Sequence, residues 1–255
     1  MKIVVIGGNG LVGRQIVALL NERGHEAVAA SRATGVDIVS GTGLDAALAG
    51  ADVVVDASNS AAPYGEPSYD FFSQGARHLL AAEARAGVRH HVAISVVGTD
   101  RLRNSPYFRG KGAAEDMIRA SGIPYTILHA TQFYEFLLAI VEAGGVSGQA
   151  LRLSPAYIQP VASTDVAEAM VQIALDPPRN TTLEMAGPER ERMSDIVKRF
   201  LNDLESPVDV LIDEHAPYFG AVLEEHSLVP CDTAHRCPVG FATWLQGSEY
   251  AKANW

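Results

Sequence analysis

The chain opens with Lys2-Ile3-Val4-Val5-Ile6 and passes directly into Gly7-Gly8-Asn9-Gly10-Leu11-Val12-Gly13. A near-continuous β-branched run is the signature of a parallel strand buried on both faces. From Leu11 to Arg23 the residues Ile16, Val17, Leu19 and Leu20 fall at helical spacing, and Gly24 stands just beyond as a C-terminal stop. Strand, glycine turn and helix in that order predict the first crossover of an open α/β sheet that binds a dinucleotide. In that arrangement Gly7 makes the sharp turn, Gly10 lets the backbone approach a pyrophosphate, and Gly13 lets the helix pack close to the sheet. The helix N-terminus then points at the phosphates. Asn9, Leu11 and Val12 complete the turn around them. The spacing is GxxGxxG rather than GxGxxG, and three glycines alone are weak; their place between strand and helix gives them weight.

The alternation continues. Glu26 to Ala30, Val36 to Val39, Asp52 to Ala57, His91 to Ser95 and Pro124 to His129 read as further strands, with helices over Ser68 to Ala86 and Ala113 to Ser121. This predicts a doubly wound parallel sheet with its ligand at the carboxyl ends of the strands. Past Thr131 the order loosens. A helix over Thr131 to Ala143, two short strands near Ala150 to Leu153 and Tyr157 to Val161, a helix over Thr164 to Leu175 capped by Ser163, a strand over Thr182 to Ala186 and a helix over Ser194 to Leu204 are expected. Residues 1–130 then form the cofactor-binding core, and residues 131–255 mainly a substrate-binding lobe with elements returning to the core.

Composition narrows the partners. With 47% hydrophobic and 20% charged residues, 255 residues bury a full core, and a net charge of −10 without any dense Lys/Arg run argues against nucleic acid and anionic membranes. The apolar runs fall short of the ~20 residues that span a bilayer. Strand 1 begins too early to leave room for an export signal, so a cytoplasmic protein is expected. Cys231 and Cys237, separated by five residues in a polar tail, are poorly spaced for a metal and read as free thiols.

The strand over Glu26 to Ala30 leads into Ser31-Arg32 rather than the carboxylate that usually bonds an NAD ribose. Arg32 offers a guanidinium, and Ser31 a hydroxyl, to a 2′-phosphate, which favours NADP(H) over NAD(H). Arg14 in the first helical turn is a further phosphate candidate. Ala57, Ser58 and Asn59 should pass beside the ribose and nicotinamide. Tyr107 and Lys111 lie four apart, on one face of a helix. A cation next to a phenol favours its ionised form, so Lys111 is expected to tune Tyr107 toward proton transfer near neutrality and to hold the nicotinamide ribose. Ser95, twelve residues before Tyr107 at a strand end, has a hydroxyl for the same substrate oxygen; a plain strand-end role is its alternative.

These segments together resemble the short-chain dehydrogenase/reductase superfamily, in its atypical branch of NmrA-like and NAD(P)H-binding proteins. GGNGLVG, VAISVVG, YFRGKGAAEDMIRASGIPYTILHATQFYEF and QPVASTDVAEAM carry the resemblance over almost the whole chain. It implies a Rossmann core with a small C-terminal substrate lobe. It also implies a catalytic set at Ser95, Tyr107 and Lys111, with the tyrosine as acid or base, the serine polarising the substrate oxygen and the lysine lowering the tyrosine pKa. Two departures stand out. Phe72 occupies the place where many relatives carry an Asn that supports a water-mediated proton relay, and His129 stands where close relatives often carry Arg. His129 is read as a structural histidine, with a substrate contact as its alternative.

Residues of the second half and of one loop, mostly aromatic, are the candidates for a pocket roof: Tyr64, Gln132, Phe133 and Phe136 first, with Tyr134, Tyr157 to Gln159 and Tyr218-Phe219 as further candidates. They point to a flat or apolar small molecule. The reading is an NADP-dependent oxidoreductase acting on a carbonyl, quinone or activated alkene, as a monomer or homodimer. The alternatives are a non-catalytic NADP(H)-binding redox sensor of NmrA type and a cofactor-retaining isomerase or epimerase.

Overall fold

The computed structural model describes residues 1–61, 65–144, 146–147, 150–248 and 250. Its strands are β1 (Lys2–Ile6), β2 (Glu26–Ala30), β3 (Val53–Asp56), β4 (His90–Val96), β5 (Tyr125–Ala130), β6 (Val146–Ser147), β7 (Ala150–Leu153), β8 (Tyr157–Ile158), β9 (Thr181–Ala186), β10 (Glu191–Arg192), β11 (Asp209–Ile212), β12 (Pro217–Tyr218), β13 (Ala221–Val222) and β14 (His235–Arg236). The helices are α1 (Leu11–Glu22), α2 (Leu44–Leu48), α3 (Glu66–Ala86), α4 (Pro106–Ala120), α5 (Leu137–Ala143), α6 (Ser163–Leu175), α7 (Met193–Asp203) and α8 (Phe241–Gly247). Among the described residues no helix is long and apolar enough to cross a membrane.

The central sheet has seven strands in the order β2-β1-β3-β4-β5-β9-β14. Its ladders run parallel, with Ile3 facing Ala27 on one side and Val53 on the other, as expected for a doubly wound α/β fold. Strand order reverses at the β1/β3 boundary, the place where such sheets open a ligand crevice at their carboxyl ends.

The chain divides into two compact units. The first comprises Met1–His129 and Val166–Leu183, the second Ala130–Asp165 and Glu184–Trp255. In the first unit Ile3, Val4 and Val5 are fully buried, and Val12, Ile16 and Leu20, four residues apart, give α1 its buried stripe. Each such aliphatic side chain contributes roughly 1.5–3 kcal/mol of burial. Helix α3 ends on Gly87, left-handed at φ 69°, which caps its last turn through the Glu83 carbonyl. It packs tightly on α4, because a Cβ on Gly110 would lie 2.9 Å from Tyr69 Cα. In the second unit β6, β7 and β11 form a small sheet, and Tyr134, Phe200, Phe241 and Trp244 form an aromatic core.

Three expectations need correction. Val36 to Val39 is not a strand. Glycines at positive φ on both sides, Gly35 and Gly41, fold it into a turn closed by the Asp37–Thr42 bridge. Its apolar residues are nonetheless buried: Ile38 plugs the space beside Gly75 of α3, and its carbonyl meets His78 Nδ1 at 3.2 Å. Hydrophobicity there answers packing and not pairing. The stretch read as helical over Ala113 to Ser121 extends back to Pro106, which suits the first helical turn, so that one helix, α4, also carries Tyr107 and Lys111 as their spacing predicts. Residues 131–133 are extended rather than helical, since Thr131 N bonds Met185 O and Tyr134 N bonds Val161 O.

The interior of the first unit holds paired charges. Glu83 on α3 and His91 on β4, both essentially unexposed, meet at 2.8 Å. Burial alone lowers the His91 imidazole, but the Glu83 carboxylate outweighs it and holds it above its ordinary value. Neighbouring His90 bonds Thr126 Oγ1 at 3.0 Å, and burial, reinforced by His91, lowers it to about 4. An unfolded chain takes up this proton near 6.5 and the native protein only near 4, so His90 erodes stability as pH falls through that window. Urea denaturation at pH 7.5 and 5 should show the wild type losing about 2 kcal/mol more than His90→Gln. An equal loss in the two proteins contradicts this reading of His90.

Candidate cofactor and active site

The turn between β1 and α1 leaves no room for side chains on its inner side. A Cβ on Gly7, at φ 73°, would lie 2.7 Å from Ala57 O; one on Gly8 would lie 2.7 Å from Ala29 Cα; one on Gly13 would lie 2.2 Å from Gly7 O. The turn is closed by Gly7 N to Ala30 O, Gly8 N to Val5 O and Gly10 N to Gly7 O, at 2.8–3.1 Å. It is therefore clamped against the carboxyl ends of β2 and β3. Gly10 differs: a Cβ there would meet Gly7 O alone within 4 Å, so its other side is open to a ligand. The first turn of α1 has no carboxylate, and helix N-terminal N–H groups carry positive potential. An open glycine backbone at a helix start without competing negative charge fits a dinucleotide pyrophosphate. Leu11 and Val12 supply the first two N–H groups of that helix.

The end of β2 is tied to this turn. Ser31 Oγ donates to Asn9 Oδ1 at 2.7 Å, while Thr34 Oγ1 accepts from Ser31 N at 2.9 Å, folding residues 32–34 into one short helical turn. Arg32 is exposed beside it, and the chain brings Asn9, Ser31 and Arg32 to one end of β1 and β2.

The end of β3 meets the head of α4. Asp56 Oδ1 accepts from Ser58 N at 2.9 Å, which turns the chain outward and presents Asn59. Tyr107 OH donates to Asn59 Oδ1 at 3.2 Å. Lys111 Nζ, one turn later, donates to Ile94 O at 3.1 Å and Ser58 O at 3.5 Å, and stands 4.5 Å from the centre of the Phe72 ring. The same ring packs edge-on against Tyr107, with centroids 5.4 Å apart. Phe72 thus touches both the phenol and the ammonium. The expected tuning of Tyr107 toward neutrality is corrected: burial pushes the phenol up, and the contacts of Lys111 are to the Ile94 carbonyl and the Phe72 face. Burial also lowers Lys111, against the pull of Asp56 and Glu115.

Ser95 is not brought to Tyr107. Its Oγ donates to Glu115 Oε1 at 2.5 Å and lies 3.4 Å from Thr99 Oγ1. Glu115 Oε1 also accepts from His129 Nε2 at 2.9 Å, and Oε2 from Arg119 at 2.8 Å. Burial alone raises the Glu115 carboxyl, but His129, Ser95 and Arg119 outweigh it and hold it below its ordinary value. The structural reading of His129 thus has its partner. Glu115 went unnoticed in the sequence, although its signal is plain: it stands four residues after Lys111, on the same face of α4.

In the second unit Gln132 is buried with neither amide atom bonded, Phe133 and Phe136 stack at 5.2 Å, and Tyr134 is buried in the aromatic core. Gln159 donates to Gly187 O at 2.6 Å. Tyr157 is stacked between chemistry of its own, with Arg192 3.8 Å and His226 5.6 Å from its ring centre. Tyr64 lies outside the described residues. Cys231 is exposed and Cys237 buried, and both are free.

A family model described as NAD(P)H-binding matches residues 7–177, from the glycine turn past Tyr107 and Lys111. The chain is 28% identical over 152 residues to the photosystem II assembly factor Ycf39 of Synechocystis sp., covering 54% of this chain and 47% of that protein. It is 28% identical over 153 residues to the uncharacterized sugar epimerase YhfK of Bacillus subtilis, covering 50% and 70%. The matched region spans about half the length of the Ycf39 relative. A solved structure of a double mutant of the dTDP-glucose 4,6-dehydratase DesIV of Streptomyces venezuelae superposes with a TM-score of 0.71 at 18% identity, over 95% of this chain and 94% of that one. That likeness is one of fold. With the family match running from the glycine turn through α4, this chain belongs to the NAD(P)H-binding family.

Proposed function

We propose that the protein is an NADP-dependent oxidoreductase acting on a carbonyl, quinone or activated alkene of a small apolar or aromatic molecule, with Tyr107 as general acid and base. The observation that carries this reading is the placement of Tyr107 OH on Asn59, at the carboxyl end of β3, one helical turn from Lys111. The nicotinamide, when bound, supplies or accepts the hydride. What the chain adds is a proton and a fixed place to deliver it. In reduction Tyr107 O–H gives its proton to the substrate oxygen, and in oxidation the phenolate takes one back. A phenol pushed up by burial keeps its proton at neutral pH, which suits the reductive direction. Lys111 holds the ribose, and Gly7, Gly10, Gly13 and the start of α1 hold the pyrophosphate. Arg32, with Ser31 and Asn9, receives the 2′-phosphate, which is the ground for preferring NADP(H).

A second reading, a non-catalytic NADP(H) sensor of NmrA type, is favoured by one observation: Ser95, the polarising hydroxyl of the expected catalytic set, is committed to Glu115. A cofactor-retaining epimerase keeps the same site and draws on the name of the YhfK relative.

Steady-state NADPH consumption against a panel of quinones and aromatic ketones separates the readings. Tyr107→Phe should lower kcat/KM by about 10²-fold or more with NADPH binding unchanged. Turnover that survives the substitution overturns the role of Tyr107, and no turnover in either protein moves the weight to the sensor. Arg32→Ala should weaken NADPH at least about 10-fold and leave NADH nearly unaffected. Equal losses for the two cofactors contradict the 2′-phosphate assignment.

A further inference from the structure

We propose that Glu115 is a positioning residue for Lys111: across a small cavity that both line, its pinned carboxylate keeps the buried ammonium charged and in place. The proposal rests on the reading above only for what Lys111 does once held.

The cavity measures about 20 Å³, the size of a single water, and is lined by Asp56, Ser58, Phe72, Ser95, Lys111 and Glu115 among others. Lys111 and Glu115 are 8% and 4% exposed. The direct partners of Lys111 are the Ile94 and Ser58 carbonyls and the Phe72 ring, all neutral. Neutral dipoles alone compensate a buried ammonium poorly, so a buried charge of this kind needs a carboxylate nearby or gives up its proton. Two stand within its field. Asp56 comes from β3 and Glu115 from α4 itself, and both favour the charged lysine against the effect of burial.

The other elements packed around the group add to this arrangement. From α3 comes the Phe72 face, and the buried Glu83–His91 pair also feels Asp56. From β4 comes Ser95, and from β5 His129, both bonded to Glu115. Arg119, half-exposed at the end of α4, takes the second oxygen of Glu115 and also reaches Thr182 at 3.2 Å. Glu115 is therefore ligated on both oxygens by three side chains and cannot swing away from Lys111. Opposite charges interact in a row of pairs: Glu83 with His91, His91 with Asp56, Asp56 with Lys111, Lys111 with Glu115, and Glu115 with His129 and Arg119. In this row Ser95 acts on the reaction centre through Glu115.

The chain has only four lysines, Lys2, Lys111, Lys198 and Lys252, so side-chain NMR of lysine-labelled protein resolves each, with Lys111→Arg identifying the buried one. In Glu115→Gln the titration midpoint of Lys111 should fall by at least about one pH unit while the other three stay in place. Glu115→Asp should recover part of the shift. A Lys111 midpoint unchanged in folded Glu115→Gln overturns the proposal. Should that variant not fold, Ser95→Ala, which loosens Glu115 without removing its charge, carries the test: a lowered Lys111 midpoint supports the proposal and an unmoved one refutes it. The readout needs no substrate. A shifted lysine without turnover counts against the oxidoreductase reading alone, and an unshifted lysine with Tyr107-dependent turnover counts against the role of Glu115 alone.

Discussion

Helix α1 begins tightly against its own preceding turn: a Cβ added at Gly13 would stand 2.2 Å from the carbonyl oxygen of Gly7. Much of the site depends on it. Because α1 begins against its own preceding turn, the turn is pressed between the ends of β2 and β3, and Gly7 and Gly8 can carry no side chain either. The three carboxyl ends at the switch point of the sheet are then held in fixed relation, with Ser31 and Asn9 on one side and Ser58 and Asn59 on the other. A dinucleotide needs that spacing, since its pyrophosphate takes the helix start while its two riboses take the neighbouring strand ends. The fold and the candidate cofactor site are the same construction.

A second constraint comes from charge placed where water is excluded. Glu83, His91, Lys111 and Glu115 are all buried, and each is expensive without a partner. They are arranged so that each meets its opposite: Glu83 with His91, and Glu115 with His129 and Arg119, while Lys111 is within the field of both Asp56 and Glu115. Such networks contribute little net stability compared with an apolar core, yet breaking one partner leaves an uncompensated charge. Their use here is geometric. They orient α4 on β4 and β5, and α4 carries both Tyr107 and Lys111.

Much of this was legible in the residues. Strands buried on both faces, such as β1 and β3, announce themselves by continuous Val and Ile, and the glycine turn between β1 and α1 is specific in its context. Val36 to Val39 shows where that signal fails. Burial of Ile38 under α3 produces the same apolar run as a strand would, and only the flanking glycines mark the turn. The pairing of Tyr107 with Lys111 was visible as a helical spacing, but its electrostatics were not. Phe72, thirty-five residues upstream of Tyr107, reaches both only when α3 packs on α4. Ser95 was likewise readable as a strand-end hydroxyl, but the face it occupies depends on the register of β4 against α4, which brings it to Glu115.

The claim at the centre is that the glycine turn and the end of β2 form an NADP(H) cradle. Titration of the purified wild-type protein with NADPH and with NADH, followed by nicotinamide fluorescence, tests it most directly. Saturable binding of both, with NADPH at least about 10-fold tighter, is the predicted result. Failure of either nucleotide to bind, or a preference for NADH, would contradict it.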